Sequence, residues 1–386
     1  MMELPRIADV VVVGGGVMGA STAYHLALKG CGKVVLLERN PLYGQEATGK
    51  CAGGIRYQFA TEINIRLSLL GLPMLDRFEE ELGQAIDLRR CGYLFLMTRK
   101  EDVRVFEASV ALQHRLGVMT EWLPGDEVRS RFALMSLDDV LAATWYPCDG
   151  LADPNSVVQG NIAGARRQGA KCLSGIEVTG IDLEKGRIRG VKTREGEILT
   201  SIVVNAAGPW AAQMGSMAGI EIPVVPVRRQ IAVTTPIPQL PPDFPFVIEF
   251  AKNLYFHREG RSILTGMSNP NEPSGFGQQV DREWELVHFD AAMARMPLLA
   301  DVGISSRWAG LYEVSPDAHP ILGKVPEVEG FYLINGFSGH GFMHGPICGF
   351  LLAEEVLDGK AHTLDVTSLS LSRFREGRPI LEYNVV

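Results

Sequence analysis

No run of about 18 uncharged apolar residues occurs in the chain, so no segment has the make-up of a helix that crosses a bilayer. Positive charge is not in excess either. A net charge of −8 over 386 residues excludes the broad attraction on which nucleic-acid and anionic-membrane binding rests, and leaves room only for a local basic pocket. There is no C-x-x-C pair and no metal-ligand spacing. The six cysteines (Cys31, Cys51, Cys91, Cys148, Cys172, Cys348) are scattered and read as reduced structural thiols, with no metal expected. Internal repeats and low-complexity linkers are also missing, which excludes solenoids and tethered modules. The N-terminal region reaches an apolar strand by residue 10, but glycines and a small-residue helix follow it where a cleavable leader would continue, so a cytoplasmic protein is expected. At this length the expectation is one large α/β unit or two interlocked domains.

What is present begins with "VVVVGGGVMGAS" at residues 10–21. The pattern predicts a buried strand over Val10–Val13, a helix over Val17–Lys29 and a second strand over Lys33–Glu38, a β-α-β unit within about 30 residues. Gly14, Gly16 and Gly19 form G-x-G-x-x-G. In such a loop the first glycine permits the tight turn, the second admits backbone close to a pyrophosphate, and the third lets helix pack on strand. Glu38, at the end of the second strand, is placed to accept from ribose hydroxyls and disfavours a 2′-phosphate, an objection that neighbouring Arg39 weakens. NAD and FAD both satisfy this loop. Three further segments bear on the choice, because a flavoprotein wraps one long cofactor from distant pieces of chain. They are "YGQEATGKCAGGIRYQF" (43–59), "VVNAAGPW" (203–210) and "NGFSGHGFMHGP" (335–346).

The intervening chain reads as a second β-α-β-like return with Asp153 as N-cap, then strands "VRRQIAVTT", "FPFVIEF", "NLYFHRE" and "SILTGMS", a helix "DREWELVHFDAAMARM", and a late strand "FYLING" before a C-terminal helix. The fold class expected is α/β with an α+β second domain: a Rossmann-like nucleotide-binding domain interleaved with a sheet-rich substrate domain. Residues 1–85, 150–220 and 320–375 are assigned to the first, 86–149 and 221–319 to the second, and 376–386 to a C-terminal tail.

The chain resembles the FAD-dependent amine and D-amino-acid oxidoreductases, which include sarcosine oxidase, glycine oxidase and D-amino-acid dehydrogenase. The likeness runs from "DVVVVGGGVMGASTAYHLA" through "VVNAAGPW" to "GLYEVSPDAHPILG" and "GFYLINGFSGHGFMHGPICGFLLAEEVLDG". "GGIRYQF" and "GFSGHGFM" look closest to the FAD-carrying β subunits of dye-linked proline dehydrogenase and heteromeric sarcosine oxidase. The resemblance implies that Gly339, His340, Gly341, Phe342 and Met343 lie beside the flavin pyrimidine ring, where backbone N–H groups and a helix dipole stabilise the charge of reduction. It implies further cofactor contacts from Val17, Met18, Arg39, Ala47, Thr48, Val178, Ala207, Gly208 and Gly310. It also places Arg56 on the substrate carboxylate and Tyr255 in the active site, with His257 two residues along sharing that face of the strand.

Departures from the family pattern carry their own implications. Gly310 stands where monomeric sarcosine oxidases have the cysteine that tethers the flavin, so FAD is expected to be non-covalent. Leu264 and Met343 replace two lysines, one of them used to activate oxygen, which favours a dehydrogenase over an oxidase. Pro154 stands in place of the histidine that binds FMN covalently, leaving a non-covalent FMN shared with a partner subunit. The expected reaction is oxidation of a small amino acid of the sarcosine, proline, glycine or D-amino-acid type. Its neutral amine gives hydride to flavin N5, and the imine hydrolyses. Three alternatives stand beside it: a peroxide-forming oxidase, a flavin-containing assembly or electron-transfer subunit without a substrate site, and a nicotinamide enzyme.

Overall fold

The computed structural model describes residues 4–385. Its first layer is a six-stranded sheet in the order Ile321–Lys324, Phe331–Asn335, Val203–Asn205, Val10–Val13, Val34–Glu38, Lys171–Ser174. Every pairing is parallel except the first, and Val11 stands opposite Val203 in the central register. The valine run of the opening strand is fully buried because a parallel sheet is covered on both faces. The crossover helix Pro154–Arg167 starts where the sequence indicates: the Asp153 side chain accepts from Ser156 N at 2.6 Å.

Two helices fix the site. Val17–Leu28 follows the opening strand, and Gly341–Asp358 packs alongside it in the same direction. Glycines permit the close approach. A methyl group at Gly345 would lie 2.6 Å from a Val17 methyl, and one at Gly349 would lie 2.3 Å from Ser21 Oγ, which donates to Pro346 O at 3.1 Å. Their N-termini, some 300 residues apart in sequence, therefore open side by side.

The second layer is an eight-stranded sheet ordered Ile304–Val314, Val225–Thr234, Ser262–Met267, Leu254–Glu259, Phe246–Glu249, Tyr93–Met97, Ala142–Tyr146, Glu121–Pro124. Strands from residues 93–146 and 225–314 thus join one sheet, with a single parallel pairing where Phe246 meets Tyr93. A small antiparallel sheet, Val178–Glu184, Arg187–Thr193 and Gly196–Leu199, flanks the first layer, and Gly54–Ile55 pairs with Gly150–Leu151 between the two. Among the described residues no helix is long and apolar enough to cross a membrane, and no His/Cys/Asp/Glu group is arranged to hold a metal.

Within 376–385 the chain packs back onto the fold. Glu382 and Asn384 are buried, because backbone and side-chain donors of residues 60–64 converge on the Glu382 carboxylate. Val386 lies outside the described residues.

Candidate active site

One continuous cavity runs between the two layers. At one end the glycine loop divides into separate jobs. Gly14, at φ +114°, has no room for a side chain: a methyl would sit 2.2 Å from Ala206 O. At Gly19 it would sit 1.9 Å from Gly14 O. These two make the turn and the helix packing possible, whereas at Gly16 the methyl would meet only Thr48 Oγ1 at 3.1 Å, leaving its outer side on the cavity. The N-cap Gly16 offers no side chain, and Thr48 Oγ1 accepts from Val17 N at 3.1 Å. Glu38 is held in place by Gly15 N and Asn40 N, each at 2.7 Å from one carboxylate oxygen. Arg39, over the Trp210 ring at 3.6 Å, lines the same end with Ala47, Val178, Ala207 and Gly208. Gly310 departs from its expected place. It abuts Lys50, whose Cβ would be 2.8 Å from an added methyl, and it borders a small side cavity instead.

At the far end Gly339, Gly341, Phe342 and Met343 line the cavity, and the helix beginning at Gly341 has no side-chain cap. Its first-turn N–H groups are unspent on a cap, as they must be to meet an electronegative ligand edge. His340 does not share this role. The positive-φ turn at Ser338 and Gly339 throws its side chain back into the core, where it packs 5.4 Å from Phe59 and 5.2 Å from His344 with neither ring nitrogen hydrogen-bonded. Burial holds its pKa well below the ordinary histidine value, so it is neutral core.

On the second sheet Tyr255 lines the cavity. It stands opposite Gly266, and only glycine leaves space for its ring there, since a methyl would be 2.3 Å from the phenol oxygen. His257 points to the same face but does not reach the cavity. Phe246, from the neighbouring strand, stacks on it at 4.9 Å and lines the cavity in its place. Its Nδ1 lies 3.0 Å from Arg258 O, and burial pushes its pKa down to about 4.

Arg56 lines the cavity and is only 5% exposed. Its guanidinium stacks on Phe59 at 4.1 Å and donates to the carbonyls of Gln58 (2.6 Å) and Asn384. Among the described residues it has no ion-pair partner, and burial lowers its pKa, although a guanidinium remains charged. Asp149 supports the loop behind it, accepting from Tyr57 N at 2.7 Å and from Gln58 Nε2 at 2.8 Å.

Several residues that line the cavity were missed by sequence reasoning, Phe246 and the following four among them. Tyr93 stacks on Phe246 at 4.2 Å over Gly54, Tyr312 closes on Gly339, Glu313 accepts from Gly336 N at 3.0 Å, and Val385 arrives from the C-terminal segment. Strand alternation around "GLYEVSPD" puts Gly310 and Tyr312 on one face, a signal that could have found Tyr312 but none of the other three. Burial pushes Glu313 up to about 7. Because the folded form holds a proton that the unfolded chain releases near pH ~4.3, the contribution of Glu313 to stability is greatest below that pH and is lost as pH rises through about 7. Glu313→Gln therefore raises the melting temperature of the cofactor-free protein more at about pH 8 than at about pH 5. Equal shifts at the two pH values would show that the carboxyl ionises freely.

Positive charge returns to the region from places the sequence did not suggest. Arg229, opposite Gly310 in the register, lies 5.3 Å over the Tyr312 ring with Nε unpaired. Together with Lys50, which is bonded to Glu46 at 3.0 Å, it lines the small side cavity next to Tyr255 and Tyr312.

Two helix N-termini opening into one cavity, a fixed carboxylate at its nucleotide end and an aromatic wall at the other define an FAD-binding oxidoreductase fold. The family model for FAD dependent oxidoreductases matches residues 9–355, and the chain belongs to that family, whose cofactor is FAD. The chain is 34% identical to L-proline dehydrogenase from P. horikoshii, covering 98% of this chain and 100% of that one with a TM-score of 0.90. Mouse sarcosine dehydrogenase (Mus musculus) is 31% identical over 96% of this chain, which spans only 42% of that relative's length. FAD-dependent oxidoreductase domain-containing protein 1 of Xenopus laevis is 31% identical over 99% of this chain and 85% of its own. Glycine oxidase from Geobacillus kaustophilus, at 23% identity and a TM-score of 0.85, shares the fold.

Proposed function

We propose that this chain oxidises the C–N bond of a small amino acid, of the sarcosine, proline, glycine or D-amino-acid type. The observation that carries this reading is Arg56: a cavity-facing guanidinium, buried and in no salt bridge among the described residues, since the nearby Glu382 and Asp149 carboxylates are taken up by other donors, has fork positions left for an anion from outside the chain. A carboxylate answers the planar fork with two hydrogen bonds. Likeness to a proline dehydrogenase along its whole length supports the same class of substrate.

The residues divide the work. Arg56 holds the carboxylate, Tyr255, Tyr93 and Tyr312 shape the wall beside it, and the turn at 339–343 presents backbone donors. Non-covalently bound FAD would supply the two-electron acceptor. Among the described residues no histidine lines the cavity, and the substrate amine reacts in its neutral form, which desolvation between Phe246 and the tyrosines favours. The product imine then hydrolyses. The FAD-binding unit comprises 1–85, 150–220 and 320–375, and the substrate unit 86–149 and 221–319. Assembly with other dehydrogenase subunits, with a non-covalent FMN shared between them, belongs to the same proposal.

Leu264 and Met343, in place of lysines, favour a dehydrogenase. A second reading, a peroxide-forming oxidase, draws on Arg229, a cation close to the same wall that forms no salt bridge among the described residues. Turnover of proline or sarcosine with an artificial dye, measured against turnover with oxygen, separates them. The dye should be the faster acceptor, and rapid peroxide formation would select the oxidase.

A further inference from the structure

Residues 380–385 lead back to the cavity, where Asn384 O meets Arg56 and Val385 joins the wall, and they are clamped on the way. Ile380 N donates to Asp317 Oδ2 at 3.0 Å and Glu382 N to Asp317 O at 3.2 Å, while Arg373 grips the Asp317 carboxylate at 2.8 and 2.9 Å. Glu382 is the second clamp. Its carboxylate accepts from Ala60 N at 2.8 Å, Asn384 N at 3.0 Å, Thr61 Oγ1 at 2.7 Å and Asn64 Nδ2 at 3.0 Å. With its oxygens spent on those donors, Glu382 forms no salt bridge with Arg56 and acts on it only through space. What reaches Arg56 is the neutral carbonyl of Asn384, and the next residue, Val385, becomes part of the cavity wall.

This arrangement separates orientation from neutralisation. A carbonyl fixes the guanidinium plane without cancelling its charge, so the remaining donors stay available to an external carboxylate. An apolar residue at the same tip takes up space next to that carboxylate. We propose that the 380–385 strap is a positioning and specificity element of the substrate site: Glu382 seats it, Asn384 O aims Arg56, and Val385 limits how large a side chain the amino acid can carry. The inference rests on the reading of Arg56 as the carboxylate site. It adds residues that bear no motif.

The test uses the FAD-loaded protein, with acetate as a non-reacting carboxylate followed by its perturbation of the flavin spectrum, and proline against a bulkier amino acid in steady-state turnover. Glu382→Gln should weaken acetate binding and raise the KM for proline by about tenfold, with kcat falling far less and FAD affinity retained. Glu382→Asp should restore part of that loss. Val385→Ala, a mild change at the tip that does not touch the clamp, should raise kcat/KM for the bulkier amino acid relative to proline by about tenfold. Wild-type acetate binding in Glu382→Gln together with an unaltered substrate ranking in Val385→Ala would overturn the strap while leaving Arg56 in place. If the wild-type protein itself binds no acetate, the carboxylate reading fails and the strap falls with it.

Discussion

Arg56→Met raises the KM for the amino-acid substrate by two to three orders of magnitude while the cofactor-free protein melts close to the wild-type temperature. Losing one member of a buried, hydrogen-bonded charge pair costs roughly 2–5 kcal/mol, which is about 30- to 5,000-fold in affinity. The stability half of the prediction distinguishes a binding residue from a structural one. Methionine forfeits the bonds to Gln58 O and Asn384 O, worth about 1.5–3 kcal/mol each, but it also removes a buried cation that forms no salt bridge among the described residues, whose desolvation costs several kcal/mol. The two terms nearly offset each other. Arg56→Lys keeps the charge and loses the fork, so it should fall between the wild type and methionine. Binding kinetics and thermal melts of the three proteins check this, and a large drop in melting temperature with unchanged KM would make Arg56 a core residue.

The second large effect concerns the three glycines of the first loop, which should fail in two different ways. Gly14→Ala and Gly19→Ala destabilise the cofactor-free protein itself. Each methyl is driven against backbone oxygen at 2.2 or 1.9 Å, and the backbone strain at Gly14 adds to the overpacking, about 1–3 kcal/mol for each effect. Gly16→Ala behaves otherwise. Its methyl has only the Thr48 hydroxyl as a close neighbour, so the cofactor-free melting temperature should hardly move. FAD affinity should nevertheless drop by roughly tenfold to a hundredfold, about 1.4–2.8 kcal/mol, because the methyl projects towards the space a pyrophosphate needs. Melts with and without FAD, combined with a flavin-fluorescence titration, separate the two classes. A Gly16→Ala protein that unfolds like Gly19→Ala would refute the division.

Features that depend on local spacing were legible in the sequence. Gly14, Gly16, Gly19 and Glu38 follow from a strand, a turn and a helix that must be contiguous, and the cavity-facing backbone of Gly339 and Gly341 follows from a glycine turn entering a helix. Side-chain direction was the first thing to escape. His340 and His257 sit in the right segments, but a positive-φ turn rotates one into the core and a phenylalanine from another strand covers the other. Long-range partners were the second. Tyr93 and Tyr312 reach the site through sheet register, Arg229 and Lys50 return the charge that Leu264 and Met343 lack, and the segment around Glu382 has no motif because its role is a set of hydrogen bonds to residues 60–64.

Arg56, buried in the cavity wall, is proposed to select substrates by their carboxylate. Anaerobic reduction of the FAD-loaded protein tests it most directly, comparing proline with pyrrolidine and sarcosine with dimethylamine, pairs that differ only in the carboxylate. Proline, sarcosine or both should bleach the flavin band, with the matching amine at least about a hundredfold less effective. Amines that reduce the flavin as readily as their amino acids, or a flavin that none of sarcosine, proline, glycine and the D-amino acids can bleach, would contradict it.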